Sequence, residues 1–159
     1  LATSTLEELE HGRFLPVIGE SDPLDPAGVR RVILCGGKVY YDLLEARRTR
    51  GLTEVAILRI EQLYPFPKEH LAAALAPYPA ATQVIWCQEE PQNQGAWNQI
   101  KHRFHRLMAE NRHVCYAGRA PSAAPAVGHR NLHVEQQERL IEEALTGQIN
   151  EKQNRRIPL

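Results

Sequence analysis

From residue 31 onward the sequence repeats one pattern four times: a short apolar run rich in β-branched residues, a turn signal, then apolar positions at helical spacing. The first run is Val32-Ile33-Leu34-Cys35, followed by Gly36-Gly37 and by Val39, Tyr40, Leu43 and Leu44 before Gly51. The second, VAILRI over 55–60, passes a Pro65/Pro67 turn to reach Leu71, Ala74 and Leu75. The third, Val84-Ile85-Trp86-Cys87, crosses a polar loop to Trp97, Ile100, Phe104, Leu107 and Met108. The fourth, Val114-Cys115-Tyr116, precedes a loop from Ala117 to His133 and a helix over 134–145 with Leu140, Ile141, Ala144 and Leu145 on one face. Strands this continuously apolar must be covered on both faces, and strands alternating with helices pair in parallel. The prediction is an α/β fold, a three-layer α/β/α sandwich with a mostly parallel sheet over 31–147.

Residues 1–30 read as a linker. Ser4 to Glu7 matches the S-x-x-E capping box and predicts a short helix ending at Gly12. Residues 14–18 are a candidate edge strand, since Pro16 suits an edge better than a sheet centre. Pro23 and Pro26 exclude helix or central strand from the next stretch. Residues 148–159 form a polar tail.

Composition narrows the function classes. Among 159 residues, 19 Lys+Arg balance 19 Asp+Glu, so the long-range field that attracts nucleic acid or an anionic membrane is absent. Neither a membrane span nor a signal peptide is present in the pattern. A soluble, cytoplasmic protein is expected, with no nucleic-acid or membrane partner. The chain opens on Leu1 rather than Met, which suggests a piece of a longer polypeptide or a processed product. Cys35, Cys87 and Cys115 are odd in number, widely spaced and set in apolar sequence, and so read as small hydrophobes rather than a disulfide or zinc set.

In an open parallel sheet, ligands bind beyond the carboxyl ends of the strands, so the strand-to-helix loops are where chemistry is expected. Gly36-Gly37-Lys38 offers backbone N–H groups and a cation to an anion, although the residues around it do not make a P-loop. The loop over 88–97 carries Glu89 and Glu90 with the amides Gln92, Asn93 and Gln94. Amides satisfy buried backbone without charge, which makes Glu89, Glu90, Asn93 and Trp97 interface candidates. The loop over 117–133 is long enough to be functional or packed on another domain, with Arg119 its anchor. His102 and His105 are three apart, but Arg103 and Arg106 beside them disfavour a metal, and none is expected. No catalytic triad can be assembled.

RVILCGGKVYYDLLEARR, VAILRIEQLYPFP, WCQEEPQNQGAW and YAGRAPSAAPAVG, in this order, closely resemble the C-terminal domain of the E1 component of bacterial 2-oxoglutarate dehydrogenase, and LATSTLEEL resembles the segment leading into it. The likeness spans residues 1–145. It implies a transketolase-like fold and a parent homodimer that uses thiamine diphosphate and magnesium to decarboxylate 2-oxoglutarate. The succinyl group then passes to a lipoyl domain of the E2 component. It also implies that cofactor and catalytic residues lie on preceding domains, so this domain holds none and is inert alone. What remains to it is structure, contact with the other E1 domains and the second E1 subunit, and regulation. Lys38, Gln94, Arg119 and Ser122 are candidates for a nucleotide or acyl-CoA effector by position and chemistry. Gly36 stands where many relatives are expected to carry Ser. Two other readings stay open: a free-standing nucleotide-binding module, and the same domain of 2-oxoadipate dehydrogenase E1.

Overall fold

The computed structural model describes residues 3–108 and 112–149; the tail expected from 148 onward lies outside them beyond residue 149. In chain order the elements are α1 (Leu6–His11), β1 (Val17–Ile18), β2 (Arg31–Cys35), α2 (Val39–Arg50), β3 (Val55–Ile60), α3 (Lys68–Leu75), β4 (Gln83–Pro91), α4 (Trp97–Leu107), β5 (His113–Arg119) and α5 (Arg130–Thr146). The sheet runs β1-β3-β2-β4-β5. β2, β3, β4 and β5 pair in parallel, and β1 lies antiparallel on β3 with Val17 opposite Ile60.

Period-two alternation sorts the strand side chains into two cores. Val32, Leu34, Ala56, Leu58, Val84 and Trp86 share one face with α3 and α4. Ile33, Cys35, Val55, Ile57, Ile85 and Cys87 share the other with α2 and α5. This is the expected three-layer sandwich. α2 stops at Gly51, whose φ of +63° is the left-handed conformation that closes helices without a Cβ penalty.

Three boundaries differ from the sequence reading. The capping box is Thr5 with Glu8, not Ser4 with Glu7: Thr5 Oγ1 accepts from the Glu8 N–H and Glu8 accepts from the Thr5 N–H. Overlapping S-x-x-E and T-x-x-E frames differ by one residue, and pattern alone does not choose between them. β4 continues through Glu89 and Glu90 to Pro91, past a bulge where the proline sits without needing a ladder donor. Lastly, β5 reaches Arg119 and α5 starts at Arg130, so the last loop is residues 120–129 rather than 117–133.

The linker is fastened to the sandwich by charge. Arg47, 1% exposed on α2, donates to Glu20 at 2.5 and 2.8 Å, to Asp22 at 2.7 Å and to the Val55 carbonyl at 2.9 Å. Glu20 also accepts the Ile57 N–H, and Arg48 adds two bonds to Asp22. The Arg48 hydrogen bonds foremost, with Arg47 assisting against desolvation, pull the Asp22 carboxyl from 3.8 to about 2.

Candidate functional site

Because β2, β4 and β5 are neighbours, the loops after them emerge side by side at one edge of the sheet. Polar side chains join all three. Lys38 Nζ lies 2.9 Å from Glu89 and 3.2 Å from Asp42, and these bonds, Glu89 first, raise the ammonium pKa despite some desolvation. Gln137 on α5 donates to both carboxylates at 2.9 Å and accepts from Arg119 at 2.9 Å. In the remaining pair of loops, Asn93 exchanges two hydrogen bonds with the Ser122 backbone, and Gln94 donates to the Ser122 carbonyl at 2.7 Å.

Beneath this surface the corner is held by Gln88. Its Oε1 accepts from the Trp86 indole at 2.8 Å and the Trp97 N–H at 3.0 Å, while its amide nitrogen donates to the Glu90 and Pro91 carbonyls. One neutral side chain thereby satisfies the strand end and the first turn of α4. Gly95 makes room for it, since a Cβ there would fall 2.2 Å from the Gln88 amide nitrogen. Gly36 has a comparable reason: its Cβ would lie 3.1 Å from the Ile60 carbonyl, so a serine requires that carbonyl to give.

Arg119 is 7% exposed. Its guanidinium donates to the Glu89 carbonyl, to Gln136 at 3.1 Å, to Gln137 and weakly to the His133 carbonyl. All are neutral acceptors, and among the described residues no carboxylate pairs with it. A buried guanidinium without a counter-ion is costly, and an anion is the group that would offset it. It forms one wall of a cavity of about 230 Å³, with Pro91, Ser122, Val127, Gln136 and Arg139 among the others. Of the sequence candidates, Arg119 and Ser122 line this cavity. Lys38 and Gln94 do not: the first is engaged by carboxylates and the second by the Ser122 carbonyl. Gln136, Gln137 and Arg139 lie within the helix predicted over 134–145 and were missed because their approach to Arg119 and the cavity is set by packing that spacing alone does not show.

Trp97 is buried inside the domain and Glu90 is exposed. His102 is exposed on α4, and the His105 side chain lies outside what is described. Among the described residues no group of three or more His, Cys, Asp and Glu side chains could hold a metal ion, nor is any helix long and apolar enough to cross a membrane. Cys35 and Cys87 are buried and Cys115 partly so, all as free thiols, with desolvation raising the pKa of each.

The family described as 2-oxoglutarate dehydrogenase C-terminal matches residues 3–145. The chain belongs to this family. It is 56% identical over 146 residues to the 2-oxoglutarate dehydrogenase E1 component of Haemophilus influenzae, covering 92% of this chain and 16% of that protein. It is 53% identical over 148 residues to the corresponding component of Azotobacter vinelandii, again covering 16% of it. The chain thus spans about one-sixth of these relatives. A split-gene transketolase, solved as an inactive β4 tetramer, superposes with a TM-score of 0.58 over 84% of this chain and 44% of its own. At 15% identity it shows the shared fold: the sandwich is that of the transketolase C-terminal domain. The family match favours the E1 domain over a free-standing nucleotide-binding module.

Proposed function

We propose that this chain is the C-terminal structural and regulatory domain of a cytoplasmic 2-oxoglutarate dehydrogenase E1. Its parent decarboxylates 2-oxoglutarate with thiamine diphosphate and magnesium and succinylates the E2 lipoyl group. Cofactor binding and catalysis are assigned to the rest of the parent. Within it, the cavity beside Arg119 receives an anionic effector, a nucleotide or acyl-CoA. The observation that carries this reading is the buried guanidinium lined up on a cavity with neutral partners only. Glu90, exposed beside that corner, is the interface candidate best placed to meet the second subunit.

The test is Arg119→Ala in the full-length parent. Loss of one charged hydrogen bond is worth about 1.5–3 kcal/mol, so effector activation should weaken roughly ten- to hundredfold while the unactivated rate persists. If the unactivated rate collapses and the subunits separate, Arg119 is an interface residue and the regulatory assignment fails.

A further inference from the structure

The surface holds a second feature that the anion cavity does not explain. Six large apolar side chains stand exposed on two stretches distant in sequence: Leu6, Leu9, Phe14 and Leu15 on the linker, and Leu63 and Tyr64 after β3. Leu6, Leu9, Phe14 and Tyr64 are 85%, 72%, 67% and 87% exposed. The antiparallel pairing of β1 with β3 brings Phe14 and Leu15 to the same corner as Leu63 and Tyr64. The Pro16 carbonyl accepts the N–H groups of Glu61 and Gln62 at 3.0 and 3.2 Å, so residues 14–15 and 63–64 leave the sheet together. Contiguous exposed apolar groups of this size mark a contact surface.

α1 adds exposed apolar groups on the segment that leads to this corner. It has six residues, buries none of them, and carries Leu6 and Leu9 three apart on one face. Helices this short are marginal in water without tertiary packing. The Glu20–Arg47–Asp22 clasp ties the linker to α2 just after β1.

We infer that this corner is the docking face for the polypeptide that precedes the domain in the same subunit. The inference rests on the E1 reading above, and its occupant follows from two observations. The chain covers 16% of its relatives' length and matches their C-terminal family, so in those proteins most of the polypeptide lies upstream. On the E1 reading, Leu6, Leu9, Phe14 and Leu15 sit on the segment joined to that polypeptide, where tethering gives a preceding domain an effective concentration of order millimolar. No free partner competes readily with that.

Hydrogen–deuterium exchange on the full-length polypeptide and on this chain alone tests the inference, with a dilution series and added E2 component. Amides over 6–11 and 62–64 should exchange at least about tenfold more slowly in the full-length protein, at every dilution and without E2. Equal rates overturn the inference. Slowing only where subunits pair assigns the face to a second copy, and slowing only with E2 assigns it to that component; either result overturns it too. Leu9→Ser with Tyr64→Ser should abolish the slowing in the full-length protein yet leave the melting temperature of the short chain unchanged, because both side chains are exposed there. Turnover of 2-oxoglutarate by the unsubstituted sample is read separately. Turnover with an unprotected corner removes the docking inference alone, whereas a protected corner without turnover removes the E1 activity and leaves the docking.

Discussion

Arg47→Ala should be among the most damaging single substitutions in this domain, through the charge it leaves behind rather than the contacts it removes. The Glu20 side chain is 5% exposed and takes both of its short ion-pair bonds from Arg47. Without the guanidinium, a buried carboxylate keeps only the N–H groups of Asp22 and Ile57. Removing one partner of a buried pair costs about 3–5 kcal/mol, against about 5–15 kcal/mol for the whole stability of a typical domain. At about 2–4 °C per kcal/mol for a chain of this size, the melting temperature should fall by roughly 6–20 °C. Urea unfolding of this chain measures the effect, and a double-mutant cycle with Glu20→Gln isolates its cause. Neutralising Glu20 in the Arg47→Ala background should recover part of the loss, because the stranded charge is then gone. A cost below about 1 kcal/mol for Arg47→Ala, or equal effects of Glu20→Gln with and without Arg47, would refute the reasoning.

Other outcomes follow from the same geometry. Gln88→Ala should cost about 1–3 kcal/mol for each of the Trp86 and Trp97 N–H groups left unpaired, measurable by urea unfolding with a shift in tryptophan fluorescence. Gly95→Ala should perturb that emission in the same direction, since the new methyl displaces the Gln88 amide. In acid, Asp22 has a folded pKa below its unfolded one, so its contribution is complete above pH 3.8 and is lost as pH falls through about 2. Asp22→Asn should flatten that part of the stability profile. Glu143 runs the opposite way. Burial raises its pKa and its Oε2 has no hydrogen-bond partner among the described residues, so stability falls as pH rises from 4.5 toward the raised value, and Glu143→Gln should be relatively more stable at pH 8 than at pH 4.5.

The sandwich was legible because burial on two faces leaves a mark that needs no partner information. VILC, VAILRI, VIWC and VCY are apolar apart from Arg59 and stand between helical repeats, and each became a parallel strand. The convergence of the three loops follows from the adjacency of β2, β4 and β5. What stayed hidden was pairing across sequence distance. Arg47 looks like any basic residue in a helix's last turn, yet it is the most deeply set charge in the clasp, because its partners come from a proline-rich stretch some 25 residues away. The cavity wall was half visible: Arg119 and Ser122 lie on and just past a recognisable strand, but Gln136 and Gln137 sit inside the predicted helix with nothing in their spacing to say that they face Arg119. The signal available was Glu135-Gln136-Gln137 followed by Arg139, polar groups at helical spacing ahead of the apolar face.

The corner built on Gln88 is fastened by amides, indole and backbone, none of which gains or loses a proton between mild acid and mild alkali. The linker clasp is built on ion pairs, Arg47 with Glu20 and Asp22 and Arg48 with Asp22. As a solution is acidified, then, the two fastenings respond on different schedules. The strap at Asp22 slackens as its carboxylate fills with protons, while the frame behind the cavity is electrically silent and keeps its shape. Acid therefore acts on the grip on the linker without touching the bonds that Gln88 makes.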